Sequence, residues 1–377
     1  MTVTSRAKTI ALLAVVVVGL GLLAPARTVS AATTRVVPTQ YASIQAAVNA
    51  ASDGDTIKVL PGTYTEQLSI AKNVTIKGAG AFATTIRAPG VLIPGSFGKS
   101  TIVDIHSGAM VRISQLTVAG PGAGTCADGA LWAGIYVVED ATLDLSLSAV
   151  THIHDTPIAE CFPSGAGIRI GDFLTGTTGH ATIRNVVVSD FQFAGITVAN
   201  PGSTATISGN IITGVGPSTI VENEGIDFVN GAVATVTFNR VSGNSCDSVD
   251  LACGPDPLAQ LQVAGIFGHP GLGSLIAYNN LSGNDTGIYL FNADLPPGAV
   301  SHNLLTNNRF WGMELQDGTF ATSQDRIFGG IGGIAIVATA VDTVGVLTDE
   351  VIRGTSGAPI QQFSCCGFAA SAIVRRR

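Results

Sequence analysis

Three carboxylates stand close together in the segment VENEGIDF, which contains Glu222, Glu224 and Asp227. Two carboxyl groups at a suitable separation can act as acid and base on a glycosidic bond, and crowding raises the pKa of one group so that it holds a proton near neutrality. Asp227 and Glu224 are therefore candidate catalytic residues. The alternative for Asp227 is an ordinary solvated acid at a strand edge.

Arg169 is the third candidate catalytic residue. A lyase that acts on an acidic sugar needs a base near the C5 proton and a cation that neutralises the sugar carboxylate. Asp227 could supply the base and Arg169 the cation. Hydrolysis and elimination both stay open at this point.

Aromatic and polar residues recur at two fixed offsets after a repeated glycine. Two residues after that glycine, the chain has Tyr136, Arg169, Thr197, Asp227, Phe267, Tyr289 and Glu314. Four residues after it, the chain has Val138, Gly171, Ala199, Val229, His269, Phe291 and Gln316. Aromatic faces offer apolar contact to a sugar while polar neighbours fix its hydroxyls. The candidate substrate-binding residues are therefore Tyr136, Phe267, His269, Tyr289 and Glu314; ordinary surface packing is the alternative for the aromatic residues.

The glycines that precede these columns mark a repeat. Seven segments begin with glycine followed by isoleucine or methionine, at Gly134, Gly167, Gly195, Gly225, Gly265, Gly287 and Gly312. They span 178 residues in six intervals, a mean near 30 residues. Each segment alternates with period two, which is typical of a β-strand. The fifth residue after each glycine is a turn residue, so we expect the strands to end at Glu139, Asp172, Asn200, Asn230, Pro270, Asn292 and Asp317.

A unit of this size cannot bury its apolar face alone, so neighbouring units must stack, each strand parallel to its equivalent one coil away. The sequence therefore predicts an all-β fold, a parallel β-helix. The first and third residues after each glycine are expected to face the core, and the second and fourth to face solvent. A second strand, about fifteen residues after an anchor, places Asn210, Asn239, Asn279 and Asn303 in one column. Their side chains can hydrogen-bond along a ladder.

Residues 43–51, SIQAAVNAA, predict a short helix that caps the N-terminal end of the coil stack. Ser43 is a candidate N-cap, and the apolar face consists of Ile44, Ala47, Val48 and Ala51. Residues 32–377 are expected to form one β-helix domain, with an N-terminal cap at about 38–60 and a C-terminal cap at about 361–377.

Residues 1–31 predict a secretory signal peptide. Arg6 and Lys8 precede an apolar run at 10–24, and small residues at 29–31 favour cleavage after Ala31. The run has 15 residues, and a membrane-spanning helix needs about 20. No later segment is longer, so no membrane span is expected in the mature chain; an uncleaved N-terminal anchor is the alternative. The protein is therefore expected to be secreted or held at the cell envelope.

The composition excludes several classes of protein. Only 12% of residues are charged, and the net charge of -7 would become -10 after cleavage, because residues 1–31 contain three basic and no acidic side chains. No basic surface for nucleic acid is predicted. The 46 glycines argue against a long coiled coil. A monomer is expected, and the sequence identifies neither a cofactor nor a metal site.

Six cysteines in an exported chain favour disulfides. Cys246 and Cys253 bracket a short loop, and Cys126 and Cys161 lie at similar offsets before two repeat anchors, so these two bridges are predicted. Cys365 and Cys366 are adjacent. They require either a strained vicinal bond or partners elsewhere, and the sequence does not decide between these.

Residues 41–80, YASIQAAVNAASDGDTIKVLPGTYTEQLSIAKNVTIKGAG, carry a family resemblance. They resemble the N-terminal cap and first coil of pectin-lyase-like right-handed β-helix proteins, including pectinesterases. The rest of the chain, to about residue 330, resembles these proteins only as a general repeat pattern. The resemblance implies a right-handed helix with three parallel sheets, in a superfamily whose members commonly bind, cleave or modify acidic polysaccharides.

The catalytic motifs of those enzymes are missing. Two pectinesterase-like fragments, at Gln316 and Gln324, lie too close together, and the later Arg-Pro-Trp element is lacking. The polygalacturonase-like and pectate-lyase-like patterns are absent as well. The sequence therefore favours a non-catalytic protein that binds a glycan or serves as a surface or matrix scaffold. The alternative is a carbohydrate-active enzyme, a polysaccharide lyase, hydrolase or pectinesterase-like protein, that acts on an extracellular polysaccharide.

Overall fold

Period-two alternation gives short strands that stack coil upon coil. The computed structural model describes residues 32–122, 130–156, 158, 163–218, 223–247 and 253–376. Across these residues the strands form three sheets of 13, 11 and 11 strands, and neighbouring strands run parallel. Residues Ala32–Arg377 form one compact unit. The predicted all-β parallel β-helix is confirmed.

Each coil contributes one strand to each sheet over most of the stack. The first sheet contains Thr34–Val37, Thr56–Val59, Val74–Lys77, Met110–Ser114, Ala141–Ser146, Gly179–Arg184, Thr204–Ser208, Val233–Thr237, Leu275–Ala277, Asp294–Ser301, Thr319–Ser323, Thr343–Thr348 and Ala370–Arg375. The second sheet contains Gly62–Thr65, Thr84–Arg87, Thr117–Ala119, Ala149–Ile153, Val187–Phe191, Ile211–Ser218, Arg240–Cys246, Asn280–Ser282, Leu304–Thr306, Arg326–Phe328 and Val351–Arg353. The third sheet contains Leu68–Ile70, Ser100–Ile105, Leu131–Val137, Ala166–Ile170, Ala194–Ala199, Glu224–Val229, Ala264–Gly268, Thr286–Phe291, Trp311–Gln316, Gly332–Ala338 and Ile360–Ser364.

The two inward columns of the third sheet are confirmed. The first runs in register through fully buried residues: Ile135, Ile168, Ile196, Ile226, Ile266, Ile288 and Met313. The second consists of Val137, Ile170, Val198, Phe228, Leu290 and Leu315, with Gly268 in its place in one coil. Each fully buried aliphatic side chain contributes about 1.5–3 kcal/mol to the free energy of folding. These ladders therefore supply much of the stabilising core.

The strands of the third sheet end where the turn residues predict. Glu139, Asn200, Asn230, Asn292 and Asp317 all have positive φ, between 50° and 77°. This left-handed conformation favours Asn and Asp among non-glycine residues. The turn chemistry therefore fixes the C-terminal end of five of these seven strands.

The asparagine ladder is confirmed. Asn210 Nδ2 donates to Asn239 Oδ1 at 2.9 Å, Asn239 to Asn279 at 3.0 Å and Asn279 to Asn303 at 3.0 Å. Asn303 Nδ2 then donates to Asp325 Oδ1 at 2.9 Å. An aspartate therefore ends the column, buried among amides.

A second asparagine ladder was not predicted. Asn244 Nδ2 donates to Asn284 Oδ1 at 2.8 Å, and Asn284 Nδ2 donates to Asn308 Oδ1 at 3.1 Å. Each of these residues stands five positions after a member of the first ladder, so the signal was present in the sequence. The two ladders together satisfy buried polar groups at both ends of the short strands in the second sheet.

The helix Ile44–Ala50 forms the predicted N-terminal cap. The Ser43 side chain accepts a hydrogen bond from the Ala46 backbone N–H, and Ile44, Ala47 and Val48 are buried. A single 3-10 turn spans Ser96–Gly98. At the other end, the segment expected to cap the stack contributes the strands Ile360–Ser364 and Ala370–Arg375, so the last coil itself forms the edge.

The disulfide expected between Cys246 and Cys253 is present, with their Cα atoms 6.2 Å apart. Cys365 and Cys366 are free thiols. Cys126 and Cys161 lie outside the described residues, so their bridge stays a prediction. In the part of the chain that the structure describes, no helix is long and apolar enough to cross a membrane.

Candidate functional site

The candidate residues lie on the outer side of the third sheet. Consecutive coils place the second residue after each glycine in register, in the order Tyr136, Arg169, Thr197, Asp227, Phe267, Tyr289 and Glu314. Asp104 precedes them in the same column. Parallel strands are about 4.8 Å apart, so residues that are distant in sequence stand side by side.

The prediction that this column faces solvent is wrong for most of its members, although Phe267 and Tyr289 are partly exposed. Tyr136, Arg169 and Glu314 are fully buried, and only 3% of Asp227 is exposed. Neighbouring side chains cover the column; the aromatic ring of Trp132, at the start of the strand Leu131–Val137, packs on the Arg169 guanidinium. The alternative that Asp227 is a solvated edge acid is therefore wrong as well.

A cavity of about 550 Å³ opens beside the middle of this column. We call it the cleft. Its volume lies within the range of about 300–1,000 Å³ typical of small-molecule sites. Five of the eight candidate residues line it, namely Glu224, Asp227, Phe267, His269 and Tyr289. Three are not in its lining, namely Tyr136, Arg169 and Glu314.

Sequence reasoning missed the outer walls of the cleft. One wall comes from the rings of Phe173 and Phe193, and another from residues 260–262. The interval between Gly225 and Gly265 is 40 residues against a mean near 30, which signals an inserted loop. The interval does not reveal the direction in which the loop folds, so the wall could not be placed from sequence.

Asp227 is the central titratable group of the cleft. Burial raises its pKa to about 7, and the positive charge of Arg169 opposes this rise. A carboxyl group with this pKa is protonated in a large fraction of molecules near neutrality. Asp227 can therefore donate a proton to a group bound in the cleft.

Glu224 lies on the same strand and is held by the next coil. Its Oε2 atom accepts a hydrogen bond of 2.6 Å from the backbone N–H of Ala264. This backbone donor fixes the position of the carboxylate. Glu224 and Asp227 thus present two carboxyl groups to one cleft.

Arg169 lies beneath aromatic rings rather than in the cleft. Its guanidinium carbon is 4.4 Å from the ring centroid of Trp132 and 5.4 Å from that of Phe193, and Nη2 donates to the Pro163 carbonyl oxygen at 2.6 Å. Burial lowers the pKa of Arg169, and the charges of Asp172 and Asp227 oppose this. In this position Arg169 acts on Asp227 and does not contact a ligand in the cleft.

Tyr136 is also withdrawn from the cleft. Its hydroxyl donates to Asp172 Oδ2 at 2.7 Å, and burial raises its pKa. Tyr136 packs with Trp132, Val138 and Phe193 in a small apolar cluster. This cluster supports the floor around Arg169.

Glu314 lies one coil beyond Tyr289. Burial raises the pKa of Glu314 to about 8, with Tyr289 and Gln262 opposing the rise. The Tyr289 hydroxyl also donates to Gln316 Oε1 at 2.5 Å. Glu314 is therefore a buried acid next to Tyr289, and it is mostly protonated at neutral pH.

The aromatic residues form a connected rim. The ring centroids of Phe267 and Tyr289 are 5.2 Å apart, and those of Phe267 and Phe291 are 5.4 Å apart. The His269 ring is 6.3 Å from that of Phe291. Together they give the cleft an apolar surface with polar edges.

A single grouping of potential metal ligands occurs in the described part of the chain, formed by Cys246, Cys253 and Asp285. The two cysteines are joined in a disulfide, so they offer no thiolate. The grouping therefore has no ligand set for a metal ion. The cleft presents carboxyl, imidazole, amide and aromatic side chains.

Comparison with known proteins agrees with the fold. A family model for the right-handed β-helix region matches residues 167–344. No curated protein matches the chain significantly. The Agl-KA catalytic domain has a similar structure, with a TM-score of 0.50 and 14% identity over 88% of this chain. This chain covers 64% of the Agl-KA domain.

Two further solved structures are similar at lower scores. The A-module of the mannuronan C-5 epimerase AlgE6 from Azotobacter vinelandii has a TM-score of 0.49 and 14% identity, over 88% of this chain and 94% of its own. The alginate lyase from Paenibacillus sp. str. FPU-7 has a TM-score of 0.42 and 14% identity, over 88% of this chain and 99% of its own.

The parallel sheets and the family match thus agree with the resemblance seen in residues 41–80. Each comparison bears on the fold, and none assigns a subfamily. The protein has the right-handed parallel β-helix fold.

Proposed function

We propose that this protein hydrolyses a glycosidic bond of a neutral extracellular polysaccharide bound in the cleft. The observation that carries the proposal is the meeting of Asp227 and Glu224 in one cavity. Asp227 has a pKa of about 7, and Glu224 is held by a backbone N–H. Such a pair can supply the acid and the base of glycoside hydrolysis.

The lining of the cleft fits a sugar chain. Phe267, Tyr289 and Phe291 offer ring surface, and Gln260 and Gln262 offer amide donors and acceptors on the facing wall. Apolar faces beside a few placed polar groups are the usual composition of a saccharide-sized site. The cleft therefore supports a carbohydrate ligand.

The charge of the lining favours a neutral sugar over an acidic one. Among the described residues that line the cleft there are two carboxyl side chains and no lysine or arginine. A uronate carboxylate would meet like charge there, which is unfavourable. Arg169, the cation that elimination would require, is fully buried. Hydrolysis is thus better supported than the lyase reaction.

In this mechanism Asp227 protonates the leaving oxygen of the glycosidic bond. Glu224 acts either on the attacking water or on the anomeric carbon. As general base, Glu224 would take a proton from an attacking water; as nucleophile, it would form a bond to the anomeric carbon. Either route needs Asp227 protonated and Glu224 ionised. The aromatic rim would hold the sugar ring while the bond breaks.

The sequence alone favoured a non-catalytic glycan-binding protein or scaffold, because familiar catalytic motifs are missing. Convergence of polar groups in one cleft supports the enzyme alternative. A binding protein would also present the aromatic rim, but it would have no need of a carboxyl group that titrates near pH 7. The two functions therefore differ in what Asp227 must do.

The deciding experiment measures reducing-end release from a panel of neutral polysaccharides and uronates. We expect release from a neutral substrate, and a loss of about 10²–10⁴-fold in Asp227→Asn, the range for removing a general acid. Asp144→Asn, on the first sheet, is the matched control. Unsaturated products from a uronate, or binding without release from any substrate, would contradict the proposal.

We propose further that the protein works outside the cytoplasm. The leader-like residues 1–31 and the Cys246–Cys253 disulfide support this location. N-terminal sequencing of the protein isolated from its native host should give Ala32 as the first residue. A chain that keeps Met1 and stays with the membrane would favour the uncleaved anchor.

A further inference from the structure

The outer wall of the cleft does not belong to the coil repeat. It is formed by residues 253–262, between the strands Arg240–Cys246 and Ala264–Gly268. We call this segment the cleft wall. It folds on itself, with Gly254 N–H donating to Leu261 O at 3.2 Å and Gln260 N–H donating to Asp256 O at 2.8 Å.

The cleft wall is fastened first through Cys246. The Cys246 N–H donates to Asp285 Oδ2 at 3.0 Å, and its carbonyl oxygen accepts from Arg309 Nη2 at 2.9 Å. Arg309 Nε also pairs with Asp285 Oδ1 at 3.0 Å. Cys246 is thus fixed on both sides by later coils, and the disulfide passes that constraint to Cys253.

Two side chains from later coils hold the rest of the wall. The indole N–H of buried Trp311 donates to the Pro255 carbonyl oxygen at 2.9 Å. The Thr286 hydroxyl donates to Gln262 Oε1 at 2.7 Å. The wall is therefore held near its beginning, through Cys253 and Pro255, and at its end, through Gln262.

The wall connects directly to the catalytic pair. Residues 260–262 line the same cavity as Asp227. Two residues beyond the wall, the Ala264 N–H donates to Glu224 Oε2 at 2.6 Å. A shift of the wall would admit water beside Asp227 and loosen the donor that orients Glu224.

We propose that the cleft wall is a positioning element, which the Cys246–Cys253 disulfide and Trp311 hold against the sheet so that the cleft stays closed to water on this side. The inference concerns the site of the proposed hydrolysis, but its readouts need no substrate. Without the wall, Asp227 would be hydrated, and hydration favours the charged form of a carboxyl group.

The first test is Trp311→Phe, which removes the indole N–H and keeps an aromatic ring. We expect hydrogen exchange at the Gln260 and Ala264 amides to rise about fivefold, the effect of losing one net hydrogen bond of about 1 kcal/mol. We also expect the pKa of Asp227, followed by carboxyl NMR, to fall from about 7 toward its ordinary value of about 3.9. Tyr64→Phe is the matched control, because it removes an aromatic donor to a backbone carbonyl oxygen, that of Leu60 at 3.0 Å, in a strand of the second sheet that does not line the cleft.

The second test is the double variant Cys246→Ser with Cys253→Ser. It should show the same two changes to a larger extent, whereas Cys365→Ser with Cys366→Ser removes two free thiols and should show neither. Thermal unfolding shows whether the variants remain folded, and if the first pair does not fold, Trp311→Phe decides. Unchanged exchange and an unchanged Asp227 pKa in the folded variants would overturn the inference. A failure to cleave any polysaccharide would leave both readouts intact and would count against hydrolysis alone.

Discussion

Arg169 and Asp227 stand two coils apart in one column of the third sheet, with Thr197 between them. Both are buried, and the charge of Arg169 opposes the effect of burial on the pKa of Asp227. Nearby charge and desolvation are separable contributions to a pKa. The pair therefore allows each contribution to be tested by itself.

Replacing Arg169 with methionine removes the charge and keeps a long side chain. Because that charge lowers the pKa of Asp227, the pKa of Asp227 in the variant should lie above about 7. NMR of the labelled carboxyl carbon measures this directly. Arg169→Lys keeps a cation at the site and should shift the pKa less. A pKa that stays constant or falls in the methionine variant would show that Arg169 does not act on Asp227 through its charge.

Asp227→Asn should change how stability depends on pH. The folded-state pKa is about 7, well above the ordinary value near 3.9, so the folded protein binds the extra proton between these values. Wild-type stability should therefore fall as the pH rises from about 4 to about 7. Asparagine does not titrate, so the variant should not show this fall. Between pH 4 and pH 8, its free energy of unfolding should therefore rise relative to that of the wild type by at most about 4 kcal/mol.

Urea unfolding at the two pH values measures this difference. Asp144→Asn, half-buried in the first sheet, makes the same chemical change away from the cleft and is the control. Parallel pH profiles for wild type and Asp227→Asn would mean that Asp227 is solvated in the folded protein.

The residues that repeat in every coil could be placed from the sequence, but the side chains that bury the candidate site could not. Ile226 and Asn239 occupy columns that repeat in every coil, so their burial and partners follow from spacing. Asp227 also belongs to a column, but its burial depends on Phe193 and on residues 260–262, which come from turns and insertions. Insertions have no period, so the sequence placed Asp227 on the correct face and gave it the wrong exposure.

Breaking the asparagine ladder should be costly. Asn279 Nδ2 donates to Asn303 Oδ1 and to the Val236 carbonyl oxygen, and Asn279 Oδ1 accepts from Asn239. Asn279→Ala leaves several of these buried groups without partners, at about 1–3 kcal/mol each. We expect a loss of several kcal/mol in the free energy of unfolding, measured in urea.

The adjacent Asn280 gives a matched control for Asn279→Ala. Asn280 is only partly buried, and its Oδ1 atom has no hydrogen-bond partner in the described structure. Asn280→Ala removes the same chemical group and should cost less than about 1 kcal/mol, as expected away from a buried network. Equal losses in the two variants would contradict the ladder as a source of stability.

Asp325 ends the first ladder in a position where the preceding coils have asparagine. It accepts from Asn303, and its own N–H donates to Glu350 Oε2 at 2.9 Å, which places a second carboxyl group next to it. Burial and the charge of Glu350 raise the pKa of Asp325, and burial raises the pKa of Glu350 to about 7. Two buried acids with raised pKa values stabilise the fold while they hold their protons, so stability should fall as the pH rises through about 7.

Asp325→Asn should remove much of that pH dependence, because an amide continues the ladder and relieves the like charge beside Glu350. The urea midpoint should differ little from wild type at pH 5 and should lie above it at pH 8. Asp294→Asn, which changes one charge at an exposed position, should leave the wild-type pH dependence in place. If Asp325→Asn lowers the midpoint equally at both pH values, the aspartate is needed for its geometry. The like charge of Asp325 and Glu350 would then not be what lowers stability at high pH.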